Sequence, residues 1–196
     1  MSETITAVQM NKPLIPSGVI GIVIFVFTEI MLFAGLISAY FVARGGAEVW
    51  PPWGQPRLPI LATGFNTMIL LGSGICLLLA RKYFDRDDSL TKVKKIFGFS
   101  IILGTFFVLF QGYEWVKLIE YGLTITSSTY GGLFYVIIGA HAVHAIAGLF
   151  FLAKSYIAME LIHKRRNESS EFDVISIFWF FVVGMWPILY ITVYVL

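Results

Sequence analysis

The chain has 196 residues, 58% of them hydrophobic and only 13% charged, with 14 Lys or Arg against 12 Asp or Glu and a formal net charge of +2. So few charges cannot coat a compact water-soluble domain, and so small an excess of cations offers no basic field for nucleic acid. The single Cys76 has no disulfide partner and no thiolate cluster for zinc or iron–sulfur, and in its apolar stretch it is expected to pack as a small hydrophobe.

A polar tail, residues 1–17, comes first. No Asp, Glu, Lys or Arg occurs in 58–80, 96–113, 121–153 or 174–196, and 13–43 contains only Glu29. A hydrocarbon core about 30 Å thick needs about 20 helical residues, which each stretch supplies. Transmembrane helices are therefore predicted at 18–43, 59–80, 96–118, 130–156 and 174–196. The fold class is all-α integral membrane, a single bundle of five transmembrane helices over 18–196. The first stretch is too long for a signal peptide, and no small-residue cleavage site follows it.

The loop after the first span reads Gly45-Gly46-Ala47-Glu48-Val49-Trp50-Pro51-Pro52-Trp53-Gly54-Gln55-Pro56. Prolines fix φ and tryptophans suit the headgroup zone, so a rigid interfacial hairpin is expected there. The tail, the 81–95 loop and the 157–173 loop with flanking Lys154 carry 11 of the 14 Lys and Arg, and the opposite loops only Arg44, Arg57 and Lys117. Positive residues mark the cytoplasmic side, which predicts a bacterial inner membrane protein with its N-terminus in the cytoplasm and its C-terminus outside. The most polar segment, 164–173 with Arg165, Arg166, Glu168 and Glu171, reads as a solvated connector.

An ionisable group near the bilayer centre costs roughly 2.5–3.5 kcal/mol on insertion scales, so each one present needs a reason. Glu29 lies mid-way along the first span and Asn66 lies in the second. Gln111 and Glu114 share a face of the third at i, i+3, as His141 and His144 do in the fourth. Two Glu and two His suggest a carboxylate–imidazole metal site, but bundle di-iron proteins place Glu-x-x-His on two helices, whereas here both histidines share one. A proton relay is a second reading. A third is hydrogen bonding between helices, with Glu114 paired to Lys117 at the membrane edge. In the last span Trp179, Val183, Trp186 and Tyr190 form an aromatic stripe, and Pro187 predicts a kink just after Gly184.

Several blocks, in order, resemble subunit III of the haem-copper terminal oxidases, the cytochrome c oxidase branch in particular. They are Thr28-Glu29-Ile30-Met31-Leu32-Phe33-Ala34-Gly35 with Tyr40; Trp50-Pro51-Pro52; Asn66-Thr67 with Ser73; Gln111 with Glu114; Tyr130 to Tyr135 followed by Gly139-Ala140-His141-Ala142-Val143-His144; and Trp179, Trp186 and Tyr190. The resemblance implies an accessory subunit of an aerobic oxidase that binds no haem, copper or other metal itself and has no catalytic residue of its own. Its implied partners are the catalytic subunit I, which with its neighbours holds haem and copper, then subunit II, a small subunit IV and membrane lipids, with structural phospholipid bound. It also implies support of proton uptake and of durability during turnover, with Glu29 as the family's buried glutamate and His141 and His144 as its paired histidines.

Two features depart from that pattern. Where the family usually carries Trp-His-Phe-Val-Asp, this chain reads Trp179-Phe180-Phe181-Val182-Val183. Seven-span members also have two further spans at the front that help wall a lipid cleft, so a neighbouring subunit is expected to supply that wall. A quinol oxidase subunit or a nitric oxide reductase accessory protein would share this fold, and a stand-alone transporter is the alternative from another class. The Trp-Pro-Pro loop and the Glu29 block favour the cytochrome c branch, and the lack of an internal repeat argues against the transporter.

Overall fold

The computed structural model describes residues 16–86, 89–164 and 170–196. Most of the expected tail, and Arg165, Arg166 and Glu168 of the connector, lie outside the described residues. Five helices are long and apolar enough to cross a membrane, and the described residues contain no strand. They are α1 (Ser17–Gly45), α2 (Ile60–Asp85), α3 (Leu90–Glu120), α4 (Thr129–Ile157) and α6 (Glu171–Leu189), the last prolonged by a π-helical turn, Tyr190–Val195. The short helix α5 (Met159–Lys164) was not expected; it lies in the 157–173 loop, just ahead of the connector.

Helix ends follow local chemistry. Ser89 and Ser128 cap α3 and α4, their hydroxyls accepting from the backbone N–H groups of Lys92 and Gly131. At the end of α3, Gly122 takes φ +89°; its N–H reaches the Ile119 carbonyl at 3.0 Å and that of Leu123 reaches Leu118 at 2.9 Å. Only glycine adopts that φ without strain, and the paired bonds satisfy carbonyls that the helix leaves open. α6 remains α-helical past Pro187 to Leu189, and a wider turn begins at Tyr190. That turn carries two tyrosines whose hydroxyls bond α2 and α3, described below.

α2 and α3 form the most extensive pairing in the molecule; α3 then packs on α4, α4 on α6, and α6 back on α2, closing a ring of four helices. α1 lies outside the ring in the groove between α4 and α6, with only Phe33 and Tyr40 fully enclosed. Its many exposed Ile, Val, Phe, Met and Leu side chains suit hydrocarbon rather than water. At the charge-rich end, Arg81 pairs with Asp173 and Lys94 with Glu160, each at 2.8 Å, joining α2 to α6 and α3 to α5. The Lys94 ammonium holds the exposed Glu160 carboxyl below the usual carboxylate range.

Candidate functional site

The polar residues of the apolar spans fall into two groups. The first is a ladder where α2, α3 and α6 meet. The Ser73 hydroxyl donates to the Ser100 carbonyl and the Ser100 hydroxyl to the Ser73 carbonyl, both at 2.8 Å, while the Trp179 indole N–H donates to Ser73 Oγ at 3.0 Å. Six residues along α2, Thr67 Oγ1 accepts from the Trp186 indole at 2.9 Å. Asn66 donates to the Phe107 carbonyl at 3.1 Å, and Gln111 Nε2 donates to the Tyr194 hydroxyl at 3.0 Å. Thr63 donates to Glu114 Oε2 at 2.9 Å, and Tyr190 donates to the Ile60 carbonyl at 3.0 Å. Trp179 and Trp186 are seven residues apart, so both face α2.

Asn66, Gln111 and Glu114 are therefore bonded within this seam, where each bond also spares a buried polar group the cost of desolvation. The expected Glu114–Lys117 pair does not form. Glu114 takes the Thr63 hydroxyl, whereas the Lys117 ammonium lies over the Tyr113 ring, 4.6 Å from its centroid. The stripe of Trp179, Trp186 and Tyr190 supplies three donors to α2 as well as bulk. Trp179 is held in a slot between two glycines: a Cβ on Gly104 or on Gly148 would stand 2.7 Å from its indole carbons.

The second group sits between α1 and α4. Glu29 is the thirteenth residue of the 29-residue α1 and His144 the sixteenth of the 29-residue α4, so both lie near mid-span. His144 Nε2 stands 3.0 Å from Glu29 Oε2, with each side chain 15% exposed. His144 Nδ1 stands 2.7 Å from the Ala140 carbonyl. A carbonyl can only accept, so Nδ1 carries a proton. Nε2 and Oε2 are within ion-pair distance, and the pair is either a neutral acid facing a neutral imidazole or, with one proton moved, a carboxylate facing an imidazolium. Among the described residues no group makes a hydrogen bond to Glu29 Oε2.

Beside this pair lies an apolar crevice of about 380 Å³ between α1, α4 and α6, lined by Ile22, Phe25, Val143, His144, Phe151 and Phe178 among others. His144 supplies its one ionisable lining group. Phe181 packs edge-on against His144 with ring centroids 6.0 Å apart.

His141 shares a helix face with His144 but not its environment. Its ring is 2% exposed, packed against Trp186 at 5.0 Å between centroids, and its Nε2 has no hydrogen-bond partner among the described residues. Among those residues no three His, Cys, Asp or Glu side chains converge. Glu29 and His144 face each other, and His141 is enclosed by aromatic rings.

The 46–59 loop contains no regular element. Trp50 turns inward, its indole donating to the Tyr40 hydroxyl at 3.0 Å and its ring set edge-on against Tyr130 at 5.2 Å, while Trp53 is 87% exposed. The Trp50–Pro51 bond is cis, and Pro52 follows it. The loop is held by Trp50 packing on α1 and α4, and by the Ser127 hydroxyl, which donates to Gln55 at 3.3 Å.

Ser100 and Thr63 were not singled out in the sequence, and Thr67 and Ser73 entered only through the family resemblance, because hydroxyl side chains in apolar helices carry no charge that demands an account. The seven-residue spacing of Asn66 and Ser73, matched by Trp179 and Trp186, is a signal that could have found them.

Comparisons with known proteins agree with this architecture. A family model described as cytochrome c oxidase subunit III matches residues 4–196. The chain is 31% identical over 187 residues to a protein named cytochrome c oxidase subunit 3 from Corynebacterium diphtheriae, covering 94% of this chain and 90% of that one. It is 32% identical over 177 residues to the protein of that name from Synechocystis, covering 90% and 74%. With the Drosophila yakuba protein it shares 31% over 184 residues, covering 89% and 67%.

Proposed function

The chain belongs to the cytochrome c oxidase subunit III family and is a multi-pass membrane component of a haem-copper oxidase complex, and on that premise we propose that it is an accessory subunit supporting oxygen reduction without metal chemistry of its own. Haem and copper, in the catalytic subunit I and its partner subunit II, supply the reaction with oxygen; a small subunit IV completes the assembly. The electron donor is cytochrome c, as the Trp50-Pro51-Pro52 loop and the Glu29 block suggest. Structural phospholipid fills the apolar crevice beside His144.

The observation that carries this reading is the approach of Glu29 Oε2 to His144 Nε2, near mid-span and 3.0 Å apart. Passing a proton from the carboxyl to the imidazole converts a neutral pair to an ion pair without adding net charge to the low-dielectric region. Such a pair can buffer proton uptake by the neighbouring catalytic subunit. Asn66, Gln111 and Glu114, bonded inside the seam, position helices, and His141 supports Trp186 by packing.

Glu29→Gln tests the proposal. The amide keeps a polar group of similar shape beside His144 and cannot form the ion pair. The oxidase should assemble with an unchanged haem spectrum, yet lose activity at alkaline pH or inactivate faster in turnover. Parental turnover and lifetime from neutral to alkaline pH would leave this subunit an assembly role alone. The proposed orientation, N-terminus in the cytoplasm of a bacterial cell, rests on the 11 to 3 division of Lys and Arg. Cysteines placed in 45–56 should react with a membrane-impermeant reagent from outside, and those in 85–95 should not; the reverse pattern would invert the topology.

A further inference from the structure

At the end of the bundle that carries the 46–59 loop, only Arg44, Arg57 and Lys117 are cationic, and two of these three line one cavity. It encloses about 220 Å³ between the start of α2 and the last turns of α3, with Ala62 and Phe110 among its apolar walls and Arg57, Tyr113 and Lys117 among its polar ones. Phe110 precedes Lys117 by seven residues, so the apolar wall and the cation are separated by about 10 Å along a helix rising about 1.5 Å per residue.

Among the described residues neither cation lies within 4.0 Å of a carboxylate, though Glu120 acts on Lys117 from farther away. Among the described residues, the ion pairs within 4.0 Å join Arg81 to Asp173, Lys94 to Glu160 and His144 to Glu29. Glu114 also lines the cavity, but it is only 5% exposed and its Oε2 accepts from Thr63. One carboxyl against two cations leaves the cavity positive.

We propose that this cavity is a phospholipid site, in which the phosphate of a glycerophospholipid engages Arg57 and Lys117 while an acyl chain lies against Phe110 and Ala62. Charge and depth select this occupant. A guanidinium and an ammonium match phosphate oxygens, and the apolar wall continues towards mid-membrane, where only hydrocarbon would cover it. Exposed Tyr113 and Tyr121 flank the site at the level where aromatic residues meet headgroups. The site lies between α2 and α3, apart from the crevice beside His144.

The test uses the full chain, purified through its own tag with the subunits that accompany it, stripped of lipid and titrated with phosphatidylglycerol while native mass spectrometry counts bound lipid. One lipid should bind roughly fivefold more weakly in Arg57→Gln or in Lys117→Gln and about twenty-five-fold more weakly in the double variant, whereas Lys117→Arg should match the parent. Inorganic phosphate should not displace it, and a photoreactive benzophenone at position 62 should crosslink to lipid. Equal phosphatidylglycerol binding by parent and double variant would overturn the proposal. Displacement by inorganic phosphate would overturn it in favour of a soluble anion, and crosslinking of position 62 to another polypeptide in favour of a protein partner.

Discussion

Between α2, α3 and α6, Ser73, Ser100, Asn66, Gln111 and Trp179 each bond a neighbouring helix, and the indole of Trp179 fills a slot floored by two glycines. Across the bundle, α1 meets α4 through Glu29 and His144 beside a crevice of about 380 Å³. The difference separates two uses of polarity in an apolar medium. In the seam, neutral groups saturate one another and close packing supplies most of the cohesion. At the α1 contact two ionisable groups face each other and have open space beside them. A group in the first setting should matter for stability, and one in the second for pH-dependent activity.

The largest expected effect is therefore in the seam. Trp179→Ala empties the slot and removes the donor to Ser73, and should destabilise the folded chain by about 3–5 kcal/mol. Chemical denaturation of the detergent-solubilised complex measures it. A loss as small as that of an exposed residue would mean that α6 docks without its indole.

Gly104→Ala should cost less, about 1–3 kcal/mol, because the new methyl would stand 2.7 Å from a Trp179 carbon and the ring has Gly148 behind it. Gly112→Ala is the control on the same helix, since nothing lies within 4 Å of the position its Cβ would take. Equal stability of the two variants would refute the slot.

On the other side, His144→Leu removes the imidazole 3.0 Å from Glu29 Oε2 and the bond from its Nδ1 to the Ala140 carbonyl, and should destabilise by about 1–3 kcal/mol. Glu29→Gln retains a polar group beside His144 and should change stability less than that while changing the pH profile more. If both variants lost the same stability and neither moved the pH profile, Glu29 and His144 would join the seam residues as packing.

Much of this architecture was legible in the sequence, because uncharged stretches of helix-spanning length leave few options for a chain this apolar. All five spans lie where expected, with ends shifted by a few residues. α5 was missed because its six residues, Met159–Lys164, sit in a polar run too short for a periodic signal. The site residues were visible one at a time, since burying an ionisable group demands an account. Their partners were not. Glu29 and His144 are 115 positions apart and meet only because α1 lies in the α4–α6 groove. Nothing within Tyr113-Glu114-Trp115-Val116-Lys117 reveals that the Glu114 carboxyl accepts from Thr63, on another helix, while Lys117 lies over Tyr113.

The smallest expected effect separates the two histidines, which the sequence presents as a pair on one face of α4. His144 Nδ1 is bonded to the Ala140 carbonyl, and its Nε2 stands 3.0 Å from Glu29 Oε2. His141 lies one turn away with Nε2 unpartnered among the described residues and with Trp186, Phe107 and Phe33 around its ring at 5.0, 6.4 and 6.3 Å between centroids. A polar atom buried without a partner is a cost to the folded state, and replacing it with an apolar group of similar size removes that cost while retaining the contacts. His141→Leu should therefore leave stability within about 1 kcal/mol of the parent, or raise it, and leave the pH profile of the oxidase unchanged. A loss of about 2 kcal/mol or more would mean that Nε2 is satisfied in the assembled complex by a water or a neighbouring subunit. His141 would then belong with Glu29 and His144 in one continuous polar site, and the division between the two sides of the bundle would fail at that residue.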